Sequence, residues 1–178
     1  AENYQKGSCR NRAQLAGPNG RQRISIPLLK GKHQQTPIRQ VRIAYQEGWQ
    51  RQHWRSIQTA YGNAPYFEHY ADELRFFYTT RFEFLFDYNL ELIRFILQKK
   101  MGWNGQLTLT DESGFSDRQN AHPELANLTD TAESPTWYYP QVFENKNGFL
   151  PNLSVLDLLF CCGKRGGEIL TKPVIPRQ

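Results

Sequence analysis

The stretch RAQLAGPNGRQRISIP, residues 12–27, decides how the chain begins. Gly17, Pro18, Asn19 and Gly20 make a turn, because Gly and Asn accept the positive φ that tight hairpins demand. Before it, Arg12–Ala16 reads as a short strand. After it, Arg21–Pro27 alternates, with Gln22, Ile24 and Ile26 on one face and Arg21, Arg23 and Ser25 on the other. Pro27 ends the strand or marks a sheet edge. The chain therefore opens on a β-hairpin. Residues 31–36 read as a loop, and Pro37–Tyr45 as a further strand with Val41 and Ile43 opposed to Arg42.

Downstream the apolar period becomes helical. Trp49–Tyr61 places Trp49, His53, Ile57 and Ala60/Tyr61 on one stripe, and Gly62 with Asn63 stops it. Tyr66–Tyr78 gathers Phe67, Tyr70, Leu74 and Phe77/Tyr78. Phe82–Lys100 is a third helix carrying Leu85, Asn89, Leu92 and Phe95/Ile96, ending in two lysines before Gly102. Leu107–Thr110 reads as a short strand. Residues 111–136 lack any apolar period and read as a loop, either a lid or a surface insert. Leu153–Cys162 is a buried terminal helix, with Ser154 and Asp157 spaced as a capping box. The expected fold is α/β (or α+β): an N-terminal hairpin and short strands, three central helices and a buried C-terminal helix. One domain spans residues 1–163, and 164–178 form a tail.

The whole chain sets outer bounds. Its 178 residues fit a single domain, and the aromatic fraction of 13% means that rings supply much of the core. No apolar run approaches the ~20 residues of a membrane helix. Three cysteines, two of them adjacent, do not make a disulfide framework and fit a reducing, cytoplasmic setting. No secretory signal is seen at Ala1, although the chain does not begin with Met. Charge is uneven: residues 1–55 carry a net +9 and the remainder a net −4. A basic N-terminal part fits an anionic partner, or long basic side chains that merely cover strand faces.

Several strings together resemble the WbqC-like family of bacterial cell-surface polysaccharide gene clusters. They are NYQK at 3–6, RNR at 10–12, ISIP at 24–27, WQRQHW at 49–54, AYGNAPYF at 60–67, FLFDYN at 84–89 and PNLSVLDLLF at 151–160. They run in order with family-like spacing across nearly all of residues 2–162. Members usually start with a short apolar strand and a proline-containing loop before the Asn-Tyr region; that segment is absent here. The resemblance implies a cytoplasmic role in O-antigen or lipopolysaccharide biosynthesis, acting on a nucleotide-activated sugar. Acyl or aminoacyl transfer to an amino sugar is the transferase chemistry it brings.

Two sets of residues are candidates for that work. Tyr4, Lys6, Arg10, Asn11 and Arg12 combine cationic donors suited to a diphosphate with a carboxamide that orients a hydroxyl or carbonyl. The plainer reading is charges facing water at the start of a strand. In the second set, Trp49 and His53 share a helix face with Tyr61. His53 is the candidate general base, Asn11 of the first set is the second catalytic candidate, and Trp49 and Tyr61 are candidate ligand-binding residues. Against this, no carboxylate lies at i±3 or i±4 of His53, and a core-edge histidine bonded to backbone explains it as well. The ring-rich run from Tyr61 to Tyr78 is either core or a sugar-stacking wall. Asp87 and Asn89 sit in an apolar helix, as acid/base residue or hydrogen-bond anchor. His33, His53, His69 and His122 are scattered and no Cys-x-x-Cys occurs, so no metal site is expected, and the sequence names no cofactor.

Three functions compete: a sugar-modifying enzyme, a non-catalytic binding or assembly component of the same pathway, and a nucleic-acid-binding protein. The last is disfavoured, because the positive charge is spread over a hairpin, a loop and a helix without a recognised motif. Self-association is left open.

Overall fold

The computed structural model describes residues 3–4, 8–29, 36–105, 107, 109 and 138–171. Lys6, His33, His122, most of the 31–36 loop, the 111–136 loop and the end of the tail lie outside these residues. So do Thr108 and Thr110 of the expected Leu107–Thr110 strand.

The hairpin forms as expected. Strand β1 (Arg12–Gly17) pairs antiparallel with β2 (Gly20–Ser25), Gly17 opposite Gly20, and only Pro18 and Asn19 lie between them. Gly20 takes φ +101°, which a side chain would resist. Both outer edges of this ribbon are occupied. On β1, the Gln14 carbonyl accepts from the Ser154 N–H at 2.7 Å, and the Ala16 N–H donates to the Tyr61 hydroxyl at 3.0 Å. On β2, the Ser25 carbonyl meets His53.

Pro37–Tyr45 is not a regular strand. Ile38–Gln40 is a 3₁₀ turn that drops Ile38 into the core, and only 41–44 stay extended. That short piece bonds on two sides, to Pro27 and Leu29 on one and to Glu83 and Leu85 on the other, in isolated bridges. Val41 and Ile43 are buried and Arg42 is exposed, so the alternation is real although the ladder is not.

Helix α1 (Trp49–Tyr61) buries the stripe its spacing dictates: Trp49, His53, Ile57, Ala60 and Tyr61. Helix α2 (Phe67–Arg75) passes into a 3₁₀ turn at Phe76–Tyr78. Helix α3 (Leu85–Arg94) starts three residues later than Phe82, because Phe84 is held extended in a bridge to Arg42. It continues through a π turn over Phe95–Lys100. A four-residue helix α4 (Glu144–Asn147) precedes α5 (Val155–Cys162), and Gly163, at φ +57°, ends α5. Ser154 caps α5 by accepting from the Leu156 N–H at 3.3 Å. The box is only half made, because the Ser154 N–H is already committed to Gln14 and Asp157 turns inward.

Residues 165–171 are not tail. Arg165–Thr171 is a helix, α6, with Gly166 and Gly167 buried. A Cβ on Gly167 would lie 2.4 Å from the Met101 carbonyl oxygen, so the close approach requires glycine.

The core lies where α1, α2 and α5 meet the hairpin. Phe160 packs on Tyr61 and Phe67 with ring centroids 5.2 and 5.1 Å away. Tyr61, Phe160, Leu15, Ile57, Leu74 and Leu85 are fully buried, each contributing on the order of 2 kcal/mol of apolar burial. Among the described residues, no helix is long and apolar enough to cross a membrane.

Candidate functional site

The RNR run is converted into one end of a cavity by a single 3₁₀ turn, Cys9–Asn11, which delivers the chain into β1. Ser8 caps the turn at the Arg10 N–H. Asn11 locks it from both ends of its carboxamide: Oδ1 accepts from the Tyr4 hydroxyl at 3.0 Å, and Nδ2 donates to the Ile26 carbonyl at 2.9 Å. Asn89, from α3, donates its Nδ2 to the Arg10 carbonyl at 2.7 Å. Burial raises the Tyr4 pKa, while the charges of Arg12 and Arg10 pull it back, so both cations act on this corner.

The cavity between this turn, the hairpin, α1, α3 and the start of α5 measures about 90 Å³. Cys9, Arg10, Asn11 and Arg12 line one end. Ile24, Ile26, Leu92 and Leu156 supply apolar wall, and His53, Asn89, Tyr78, Tyr88 and Ser154 complete it. Burial pushes Tyr78 up to about 12, with the Tyr88 hydroxyl close enough to oppose the rise.

His53 enters from α1. Its Nε2 lies 3.1 Å from the Ser25 carbonyl oxygen, which fixes the N–H on Nε2 and leaves Nδ1 as the ring's acceptor. Burial lowers its pKa to about 4, outweighing the opposing pull of that carbonyl. The imidazole is therefore neutral at pH 7: a hydrogen-bond acceptor and a weak base.

The structure thus brings together Arg10, Asn11, Arg12 and His53, with Tyr4 bonded behind Asn11. Trp49 does not line the cavity. It is buried behind His53, ring centroids 4.9 Å apart, with its Nε1 unpartnered. Tyr61 lies elsewhere, fully buried and bonded to β1. Asn11 has both ends of its side chain engaged, so its evident work is holding the turn. Asp87 is exposed in the first turn of α3.

The buried carboxylate is instead Asp157. No hydrogen bond of good geometry reaches either oxygen, yet Tyr139, Tyr61 and Gln141 lie close enough to oppose the rise that burial imposes on its pKa. Ser154 and Leu156 also line the cavity. They come from the far end of the chain, and their only local signal is the helix cap.

The sequence profile of the WbqC-like protein family matches residues 1–138. The chain belongs to the WbqC-like family. Comparison with curated proteins and with solved structures returns no match. In this WbqC-like protein the matched region holds the turn, the hairpin and α1–α3, and so most of the cavity wall. Ser154 and Leu156 lie beyond it.

Proposed function

We propose that this WbqC-like protein works in the cytoplasm in the assembly of a bacterial cell-surface polysaccharide. It binds a nucleotide-activated sugar and transfers an acyl or aminoacyl group to an amino sugar. The observation that carries the reading is the convergence of Arg10, Arg12 and His53 on one small cavity. Family membership supports the pathway. Pockets for drug-sized ligands run to roughly 300–1,000 Å³. The 90 Å³ here accommodates one substituent. The diphosphate then lies against the Arg10 and Arg12 end, where forked donors suit it.

In the transfer, the sugar nitrogen attacks the acyl carbonyl carbon. The C–N bond forms, the bond from that carbon to the donor's leaving group breaks, and the amine proton departs with the leaving group. His53 Nδ1 accepts a hydrogen bond during this step.

The test is mass spectrometry of nucleotide amino sugars incubated with the protein and a panel of acyl and aminoacyl donors. Acylated product that disappears with Arg12→Ala supports the enzyme. Tight sugar binding with no product from any donor supports a second reading, a non-catalytic binding component. That second reading draws on the pKa of about 4 at His53, low for a general base.

A further inference from the structure

The cavity beside the Cys9–Asn11 turn is small, and most of its wall is uncharged. A cavity of roughly 150 Å³ holds one benzene. The cavity here measures about 90 Å³. On that scale it takes about four heavy atoms, one substituent of a larger molecule. Cys9 lines the cavity and is exposed, so the rest of that molecule leaves at this end.

Arg10 and Arg12 stand at the same end, and both already have partners within the chain. Away from them the lining carries no formal charge at pH 7. His53 is neutral, and burial keeps the Tyr78 and Tyr88 hydroxyls protonated. A carboxylate or an ammonium would give up its hydration there without meeting an opposite charge.

The neutral polar groups both accept and donate. His53 gives its Nε2 N–H to the Ser25 carbonyl, which leaves Nδ1 as an acceptor. Asn89 gives one Nδ2 N–H to the Arg10 carbonyl and keeps its Oδ1 and second N–H. The Ser154 Oγ accepts from the Leu156 N–H, and its own O–H donates. An amide answers both kinds of group, whereas an ester only accepts. A lone hydroxyl answers both but leaves the space beside Ile24, Ile26, Leu92 and Leu156 unfilled. An acetamido group joins an amide to a single methyl and stays within the size limit.

We propose that the cavity binds the acetamido group of an N-acetylated nucleotide sugar, its methyl toward Ile24, Ile26 and Leu92 and its amide among His53, Asn89 and Ser154. This rests on the acyl-transfer reading, in which it is the group that acetyl transfer leaves on the amino sugar. An aminoacyl group exceeds the size limit and carries an ammonium.

The experiment is calorimetric titration of the 178-residue chain at fixed ionic strength and neutral pH. The probes are hexoses linked to uridine or thymidine diphosphate, carrying at one carbon an acetamido, butyramido, free amino or hydroxyl group. The acetamido form binds at least about tenfold more tightly than the amino and hydroxyl forms, the worth of a buried methyl and a hydrogen bond. It also binds more tightly than the longer butyramido form. Leu92→Ala, which opens the wall at a half-buried position, restores butyramido binding relative to acetamido.

Amino, hydroxyl or butyramido forms that bind the native chain as tightly as the acetamido form overturn this inference and leave the activated-sugar reading standing. A folded Leu92→Ala variant that keeps the native ranking also overturns it. If that variant fails to fold, the ranking on the native chain decides. If no form binds, both readings fall.

Discussion

Asn89 on α3 donates its side-chain N–H to the Arg10 carbonyl at 2.7 Å, joining two residues 79 positions apart. That bond pins the Cys9–Asn11 turn to the helical layer and so fixes where Arg10 and Arg12 stand. Asn89→Leu leaves the hydrophobic core untouched. Its cost to stability is expected at about 1–2 kcal/mol, the worth of a bond plus an unpaired carbonyl. Ligand affinity falls more than the melting point implies. Parallel thermal melts and titrations check this.

His53 gives a pH signature. Its folded pKa is about 4 against an ordinary 6.5. Between those values the unfolded chain binds more protons, so stability rises with pH and is lost as pH falls from about 6.5 toward 4. The full effect is at most about 3 kcal/mol. His53→Gln removes the slope. Denaturant melts at half-unit pH steps read it directly, and an unchanged slope in the variant contradicts the assignment.

Asp157 slopes the other way. Its folded pKa is raised from 3.8 by burial, so the folded chain binds more protons above that value. Stability is then lost as pH rises from about 4 toward the folded pKa. Asp157→Asn keeps the shape and removes the charge. It is expected to hold or raise the melting point at pH 7, and to steepen the rise that His53 produces.

Much of this was legible. The α1 stripe follows from residues four apart, and burial matches it from Trp49 to Tyr61. The RNR run and His53 stand out in the sequence, one through charge and the other through chemistry; that they line one cavity comes only from the fold. Tyr61 was misplaced because an aromatic on a helix stripe looks the same whether it meets a ligand or a core. Asp87 and Asp157 both sit in apolar helices. Only packing against Tyr61, Tyr139 and Gln141 makes the second the buried one. Asn89, Ser154 and Leu156 reach the cavity through contacts distant in sequence, which local periodicity does not encode. The α6 helix lies in the stretch assigned to the tail; its two adjacent glycines permit close approach to Met101, a contact distant in sequence.

That approach is testable by pairing two substitutions. A Cβ at Gly167 meets the Met101 backbone oxygen at 2.4 Å, whereas one at Gly166 meets the Met101 Cε at 2.8 Å, the end of a flexible chain. Gly167→Ala is expected to destabilise by about 1–3 kcal/mol. Gly166→Ala costs less, and equal melting points would contradict the docking of α6.

Cysteine labelling separates the cavity from the core. Cys9 is exposed and lines the cavity. Burial and the nearby Asp157 carboxylate push the Cys161 thiol up to about 12. Iodoacetamide at pH 8 is expected to label Cys9 first, and a cavity ligand slows that labelling. Peptide mass spectrometry reads both rates.

The central claim is that the cavity between the Cys9–Asn11 turn, α1 and α3 is the ligand site. The most direct measurement is the melting shift produced by nucleotide amino sugars on the native chain and on Arg12→Ala, at fixed salt. A ligand at a hundred times its dissociation constant stabilises the native chain by about 2.7 kcal/mol. The account predicts that shift for the native chain and its loss in a folded Arg12→Ala variant. An equal shift in both proteins would contradict the account.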